Sequence, residues 1–224
     1  MSVTSLAALA AIIDHTILRP DATEADVERF CAEAVQWSFA AVCVNPLHVP
    51  RAAAALRGSP VKTCSVIGFP LGATPTELKR HELDWVLAQG AAEVDMVISI
   101  GTLKSVGAGP IGDEVGVLKT VCGPVPLKVI LETSLLTDEE IVAASLAAKR
   151  AGADFVKTST AFTQKGATVE AVALMRRTVG PEMGVKASGG IRSFAEAMAM
   201  VEAGANRIGT SRGVALMREA HFGS

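Results

Sequence analysis

The chain has 224 residues, half of them apolar and a fifth charged, a globular balance that excludes disorder as the main state. Its formal net charge of −2 supplies no basic field for a phosphate polymer, so no nucleic-acid partner is expected. The four cysteines stand far apart, with neither CxxC nor Cys/His ligand spacing, which argues against a disulfide framework or zinc site and fits a reducing cytoplasm.

An apolar run opens the chain at residues 6–13, with no Lys or Arg before Arg19. It is too short for a membrane span and lacks the positive start of a signal peptide. Short runs rich in Val and Ile then recur at 12–17, 40–44, 61–69, 93–100, 127–132, 154–160, 184–188 and 207–210, giving eight predicted strands. Alanine-rich stretches of helical spacing lie between them. Four of these carry capping-box pairs at their starts: Thr23 with Asp26, Thr74 with Glu77, Thr137 with Glu140, and Ser193 with Glu196. Pro75 fits the first helical position, where a missing N–H is harmless. Three helix ends share one plan, with Gly90, Gly152 and Gly204 each suited to a left-handed C′ position before the next strand. The glycine-studded stretch 101–123 reads as an interrupted helix with a mobile loop.

Alternating strand and helix imply a parallel sheet. Eight such units use the whole chain without a linker, so a single α/β domain over 1–224, a closed (β/α)8 or TIM barrel, is expected. An open doubly wound sheet requires a glycine-rich loop after the first strand. Here that strand leads into Leu18-Arg19-Pro20-Asp21, without glycine.

Two strands repeat one setting for lysine, Phe155-Val156-Lys157-Thr158 and Gly184-Val185-Lys186-Ala187. Strand side chains alternate, so Lys157 and Lys186 both face the barrel interior from neighbouring strands six and seven. Desolvation and like charge are expected to push at least one pKa below the ordinary lysine value, leaving an amine able to attack a carbonyl carbon. The alternative is that each lysine snorkels or pairs with an acid. Asp95 and Asp14 are inward by the same alternation, Asp95 as an interior ion partner or an acid/base. Lys128 and Glu132 on strand five offer partners to each other or to Asp95, Lys128 low in the barrel where side chains serve stability.

Two glycine-rich turns close the set. Ser188-Gly189-Gly190-Ile191-Arg192 follows strand seven and Ile208-Gly209-Thr210-Ser211-Arg212 follows strand eight. Glycine lets backbone N–H groups approach an anion, and barrel enzymes often hold phosphate at these two loops. Gly189, Gly190, Gly209, Thr210 and Ser211 are therefore candidate phosphate contacts. No Walker, GxGxxG or GxSxG pattern occurs. The four histidines are scattered without ligand spacing, Cys43 reads as a small core residue that lines the pocket if inward, and no tyrosine exists to act as an acid.

With these residues assembled, the sequence resembles the deoxyribose-phosphate aldolase family from Asp14 to about Ser211. The resemblance is carried by Ile13-Asp14-His15-Thr16, Val42-Cys43-Val44-Asn45-Pro46, Val94-Asp95-Met96, Lys157-Thr158-Ser159-Thr160 and Lys186-Ala187-Ser188-Gly189-Gly190. It implies a class I aldolase on a (β/α)8 barrel, usually a homodimer or homotetramer, with no metal or other cofactor. Its substrates would be a phosphosugar and aldehydes, with no membrane partner. By that resemblance Lys157 forms a Schiff base, Lys186 depresses its pKa and assists proton transfer, and Asp95 completes a proton relay. Asp14, Thr16, Cys43 and Thr158 are expected to line the pocket. Ala161 stands where the family commonly has glycine, and the tail lacks the tyrosine of some relatives. Another phosphosugar barrel enzyme and a silent phosphosugar-binding barrel are the rival readings. Turnover of ketose against aldose phosphates, and any aldol cleavage above buffer background, separate them.

Overall fold

A computed structural model describes residues 5–163 and 165–222; the ends of the expected 1–224 domain and the tyrosine-free terminal residues Gly223 and Ser224 lie outside it. Eight parallel strands close into a barrel in chain order, β1 (Ile13–Ile17), β2 (Ala41–Val44), β3 (Lys62–Ile67), β4 (Glu93–Val97), β5 (Leu127–Ile130), β6 (Phe155–Lys157), β7 (Gly184–Ser188) and β8 (Arg207–Thr210). Closure is made by β1 against β8, with Asp14 opposite Gly209. The open doubly wound alternative is thereby set aside.

Helices α1 (Leu6–Ala10), α2 (Glu24–Trp37), α3 (Val49–Ala55), α4 (Thr76–Ala88), α5 (Ile100–Val106), α6 (Gly109–Cys122), α7 (Asp138–Arg150), α8 (Val169–Val179), α9 (Phe194–Glu202) and α10 (Gly213–Phe222) surround the strands. The opening apolar run is α1, which buries Leu9 and Ala10 and packs against α10. The main apolar core lies between strands and helices, where Val42, Val94, Val129, Val156 and Val185 face outward.

Capping boxes start α2, α7 and α9 at Thr23, Thr137 and Ser193. The expected box at Thr74 does not form. Pro75 adopts an extended conformation and is itself the N-cap of α4, so Thr74 stands one residue too early and Pro75 offers no side-chain acceptor. The break expected within 101–123 separates α5 from α6 at Gly107, whose φ is 102°. Gly90, Gly152 and Gly204 take positive φ as their sequence plan requires.

Four strands end earlier than their apolar runs, β3 among them at Ile67. Strand β4 gives way at Val97 because Ser99 caps α5. Beyond β5, Glu132 is left-handed with φ 58°, and beyond β6, Ala161 is left-handed with φ 68°. Apolar content continues past each end because these residues stay buried under the loops that follow.

Candidate active site

The barrel interior is divided. Leu18, Ala41, Cys43, Cys64 and Val66 form a small apolar cluster on the β2–β3 side. The opposite side is ionic. Strand register places Lys157 opposite Lys186, and both Nζ atoms reach the same Oδ2 of Asp95, each at 2.7 Å. The Nζ of Lys128 lies 2.8 Å from the other oxygen of Asp95 and 2.6 Å from Glu93. Lys186 also pairs with Asp14, and Arg207 closes the ring with contacts of 2.5 Å to Asp14 and 2.6 Å to Glu93. Buried charges persist only when paired in this way.

Electrostatics set the protonation of this ring. Burial opposes charge on Asp95, yet Lys128, Lys157 and Lys186 together hold its carboxyl well below the usual range. Burial also opposes charge on Asp14, and Arg207, Lys186 and Lys128 outweigh it, so Asp14 too stays ionised. Of the two lysines, at least one of which is expected to fall below the ordinary range, Lys186 does not. Burial works to lower its pKa, but the carboxylates of Asp14 and Asp95 prevail and hold it above the ordinary lysine range. A repelling lysine pair becomes a lysine pair bridged by a shared anion. Lys128 is likewise held above that range, burial being outweighed by Asp95 and its neighbours. It pairs with Asp95 and Glu93, whereas Glu132 bonds elsewhere.

Above the ring, at the C-terminal ends of the strands, opens a cavity of about 510 Å³. Lys157, Thr16, Gly189, Gly190, Gly209, Thr210 and Ser211 line it, as the sequence suggests. Asp95 and Lys186 are fully buried beneath. Three expected wall residues are elsewhere. Asp14 sits in the ion ring, held down by Lys186 and Arg207. Cys43 is inward but fully buried in the apolar cluster. Thr158 turns to the next strand, its hydroxyl donating to the Ser188 carbonyl at 3.1 Å and accepting from the Ser188 N–H at 3.0 Å.

The expected capping box at Ser193 limits the anion donors of the first glycine turn. The carboxylate of Glu196 accepts from the N–H groups of Arg192 at 2.7 Å and Ser193 at 3.0 Å, so the two amides just before α9 are already used. The first turn of α10 carries no acid. Arg19, Arg29, Arg192, Arg212 and Phe162 also line the cavity and escaped the sequence reading. Arg192 and Arg212 directly follow the glycine turns, which is a usable signal; Arg29 comes from α2 and has none.

Glu132 was also missed as a fastener. Its Oε2 accepts from the Thr160 N–H at 3.1 Å and its Oε1 from the Thr163 hydroxyl at 3.0 Å. The stretch it holds carries Ala161 and Phe162, and Phe162 meets Phe69 edge-to-face at 5.2 Å. Farther along the same loop, the Ala167 N–H donates to the Gly189 carbonyl at 3.0 Å, tying the β6 loop to the β7 glycine turn.

The cysteine spacing gave no metal pattern, yet the barrel brings ligand atoms of Cys43, Cys64 and Asp95 within 4.8 Å of one another, and those of Asp14, Cys64 and Glu93 likewise. A cation there would have to displace ammonium groups already on both acids, so the donor set does not fit one well. His15 bonds Glu33 at 2.7 Å and stacks on Phe30, a packing role.

A closed barrel with a lysine at the floor of a top-face cavity, backed by a buried carboxylate, defines a lysine-dependent carbonyl enzyme of the aldolase class. The chain belongs to the DeoC/LacD aldolase family, whose model matches residues 8–223. The deoxyribose-phosphate aldolase of Brevibacillus brevis is 54% identical over 93% of this chain and 94% of its own length. That of Carboxydothermus hydrogenoformans is 54% identical over 94% of both. Among solved structures, the tetrameric deoxyribose phosphate aldolase of Aeropyrum pernix has a TM-score of 0.89 at 38% identity, covering 97% of this chain and 92% of that one.

Proposed function

We propose that this chain reversibly cleaves 2-deoxy-D-ribose 5-phosphate to acetaldehyde and D-glyceraldehyde 3-phosphate through a Schiff base on Lys157. The observation that carries the reading is the shared oxygen: Lys157 and Lys186 both lie 2.7 Å from Asp95 Oδ2, and of these three only Lys157 enters the cavity wall.

Position favours Lys157 as the nucleophile, because of the ring's three lysines it alone borders the cavity. The buried ring holds three carboxylates, Asp14, Glu93 and Asp95, against the cations Lys128, Lys186 and Arg207.

The amine attacks C1 of the open-chain aldehyde, and the carbonyl oxygen leaves as water to give a protonated imine. The C3 hydroxyl then loses its proton and the C2–C3 bond breaks. The bonding pair moves toward the imine nitrogen, leaving an enamine, while C3 departs as the aldehyde of the three-carbon phosphate. C2 takes up a proton, and water hydrolyses the imine to release acetaldehyde and restore Lys157. Asp95 and Lys186 relay these protons from beneath through water, and Asp95 orients the Lys157 nitrogen. The Gly189–Gly190 turn and the Gly209, Thr210 and Ser211 loop hold the phosphate and so position the reacting end. The chain works in the cytoplasm as a homodimer or homotetramer, an assembly supported by the tetramer of the Aeropyrum pernix relative and checked by light scattering.

Turnover of deoxyribose 5-phosphate, followed by coupled reduction of the triose phosphate, tests the reading. Cleavage is expected, undiminished by EDTA and lost in Lys157→Ala. A rate at buffer background, or full activity in that variant, overturns it.

A further inference from the structure

The inner wall of the barrel changes from apolar to ionic at one side chain. Cys64, on β3, belongs to the small apolar cluster with Leu18, Ala41, Cys43 and Val66. It stands opposite Cys43 on β2 and opposite Glu93 on β4. From there it also reaches the ion ring. Its Sγ lies 3.2 Å from Asp95 Oδ1, and the Nζ of Lys128 lies 3.4 Å from the same sulfur. Cys64 and Asp95 are both fully buried.

The two oxygens of Asp95 have separate tasks. Oδ2 is shared by Lys157 and Lys186. That sharing requires the carboxylate to hold one plane, although the terminal torsion of an aspartate is soft. Oδ1 is the oxygen that can fix the plane, and its donors come from the strands on either side of β4. Lys128 on β5 approaches it at 2.8 Å, and the Cys64 thiol on β3 donates to it from the other side. The Ser65 carbonyl is a farther acceptor for that thiol, at 3.7 Å, and is uncharged. Burial above all, with Cys43 and the charge of Asp95, raises the Cys64 pKa well above the ordinary thiol range, so the sulfur keeps the proton it donates.

We infer that Cys64 is a positioning residue: its thiol, by donating to Asp95 Oδ1, sets the carboxylate plane that offers Oδ2 to Lys157 and Lys186 together. The inference rests on the substrate reading above, in which Asp95 orients the Lys157 nitrogen and relays protons with Lys186. A thiol suits the border it occupies, because it packs as a small apolar group and still carries a donor.

Cys64→Ser and Cys64→Ala test it as a pair. The two new side chains differ by one hydroxyl, so lost packing volume affects both alike, whereas a lost donor affects Cys64→Ala alone. In steady-state kinetics on 2-deoxyribose 5-phosphate, Cys64→Ala is expected to lower kcat about tenfold with KM held within about twofold, because a displaced reacting group costs rate rather than binding. Cys64→Ser is expected to recover kcat to within about threefold of wild type. Equal kcat in the two variants, or wild-type kcat in Cys64→Ala, overturns the assignment. Crystal structures of both variants separate this inference from the substrate reading. In Cys64→Ala, Asp95 Oδ2 is expected to lie beyond about 3.2 Å from at least one of the two lysine nitrogens, and in Cys64→Ser to keep both contacts. If wild type shows no aldol cleavage, the substrate reading fails, yet that rotation still supports the thiol as the group that sets Asp95. An Asp95 carboxylate unmoved in Cys64→Ala overturns the positioning role whatever the activity.

Discussion

Asp95 is the residue on which three lysine side chains converge, so its loss has a double consequence. Asp95→Asn keeps the shape but removes the anion shared by Lys128, Lys157 and Lys186. Breaking such a buried set costs about 3–5 kcal/mol, readable as a lower urea midpoint. Activity is expected to fall about 10³-fold or more, because the proposed nucleophile and proton relay both lose their partner. A near-native midpoint and rate in that variant would contradict the shared-anion geometry. Ala161 gives a prediction of opposite sign. It is held at φ 68°, a left-handed conformation that an L side chain disfavours by about 1–2 kcal/mol. Ala161→Gly is expected to raise the melting temperature by about 2–4 °C. A drop on calorimetric scanning would mean that the methyl group contributes packing greater than its strain. At this scale Lys157, Lys186 and Asp95 were legible, because strand alternation fixes which side chains share an interior. The partners of Lys186 were not. Asp14 lies 172 positions away in the chain, and nothing in local sequence says that closure of β1 on β8 delivers a carboxylate to that lysine. The rise of the Lys186 pKa was therefore not readable from its own strand.

The β6 loop and the β7 turn behave as one element. A Cβ at Gly166 would lie 2.1 Å from the Gly189 carbonyl oxygen, so only glycine permits their contact. Gly166→Ala is expected to part the loop from the turn proposed to hold phosphate, raising KM for deoxyribose 5-phosphate more than it lowers kcat. Unchanged KM would show the two segments to be independent. Helix starts at Thr23, Thr137 and Ser193 were readable because a capping box is a local four-residue signal. Thr74 failed because Pro75, with its fixed φ, displaced the cap by one residue. Strand ends were less readable. Glu132 and Ala161 turn the chain left-handed without glycine, and tertiary bonds from Thr160 and Thr163 to Glu132 compensate locally. No sequence rule announces a left-handed glutamate.

Across the whole molecule, the ion ring ties stability to pH at both ends. Asp14 and Asp95 have folded pKa values below their ordinary ones, so their contribution is present at neutral pH and is lost as pH falls below about 4. Lys128 and Lys186 have folded values above the ordinary lysine value, so theirs is complete below about pH 10.5 and is lost as pH rises through the folded values. Burial lowers the pKa of His15, whose smaller contribution begins to fade as pH falls through about 6.5. The urea midpoint is expected to be level from about pH 7 to 10 and to fall on either side. A steady decline within that window would contradict the ring. The closed barrel itself was legible, since eight βα units without a linker leave little else for the chain to do. The arginines of the cavity wall were not, because burial and pairing decide which of them stay free to meet an anion. All of this turns on one nitrogen. Incubation with acetaldehyde and sodium borohydride, then peptide mass mapping, reads whether that nitrogen forms an imine. An ethyl group fixed on Lys157, with activity lost in step and no such label in Lys157→Ala, is the expected result. Label on Lys186 instead, or label that persists in the Lys157→Ala protein, would contradict it.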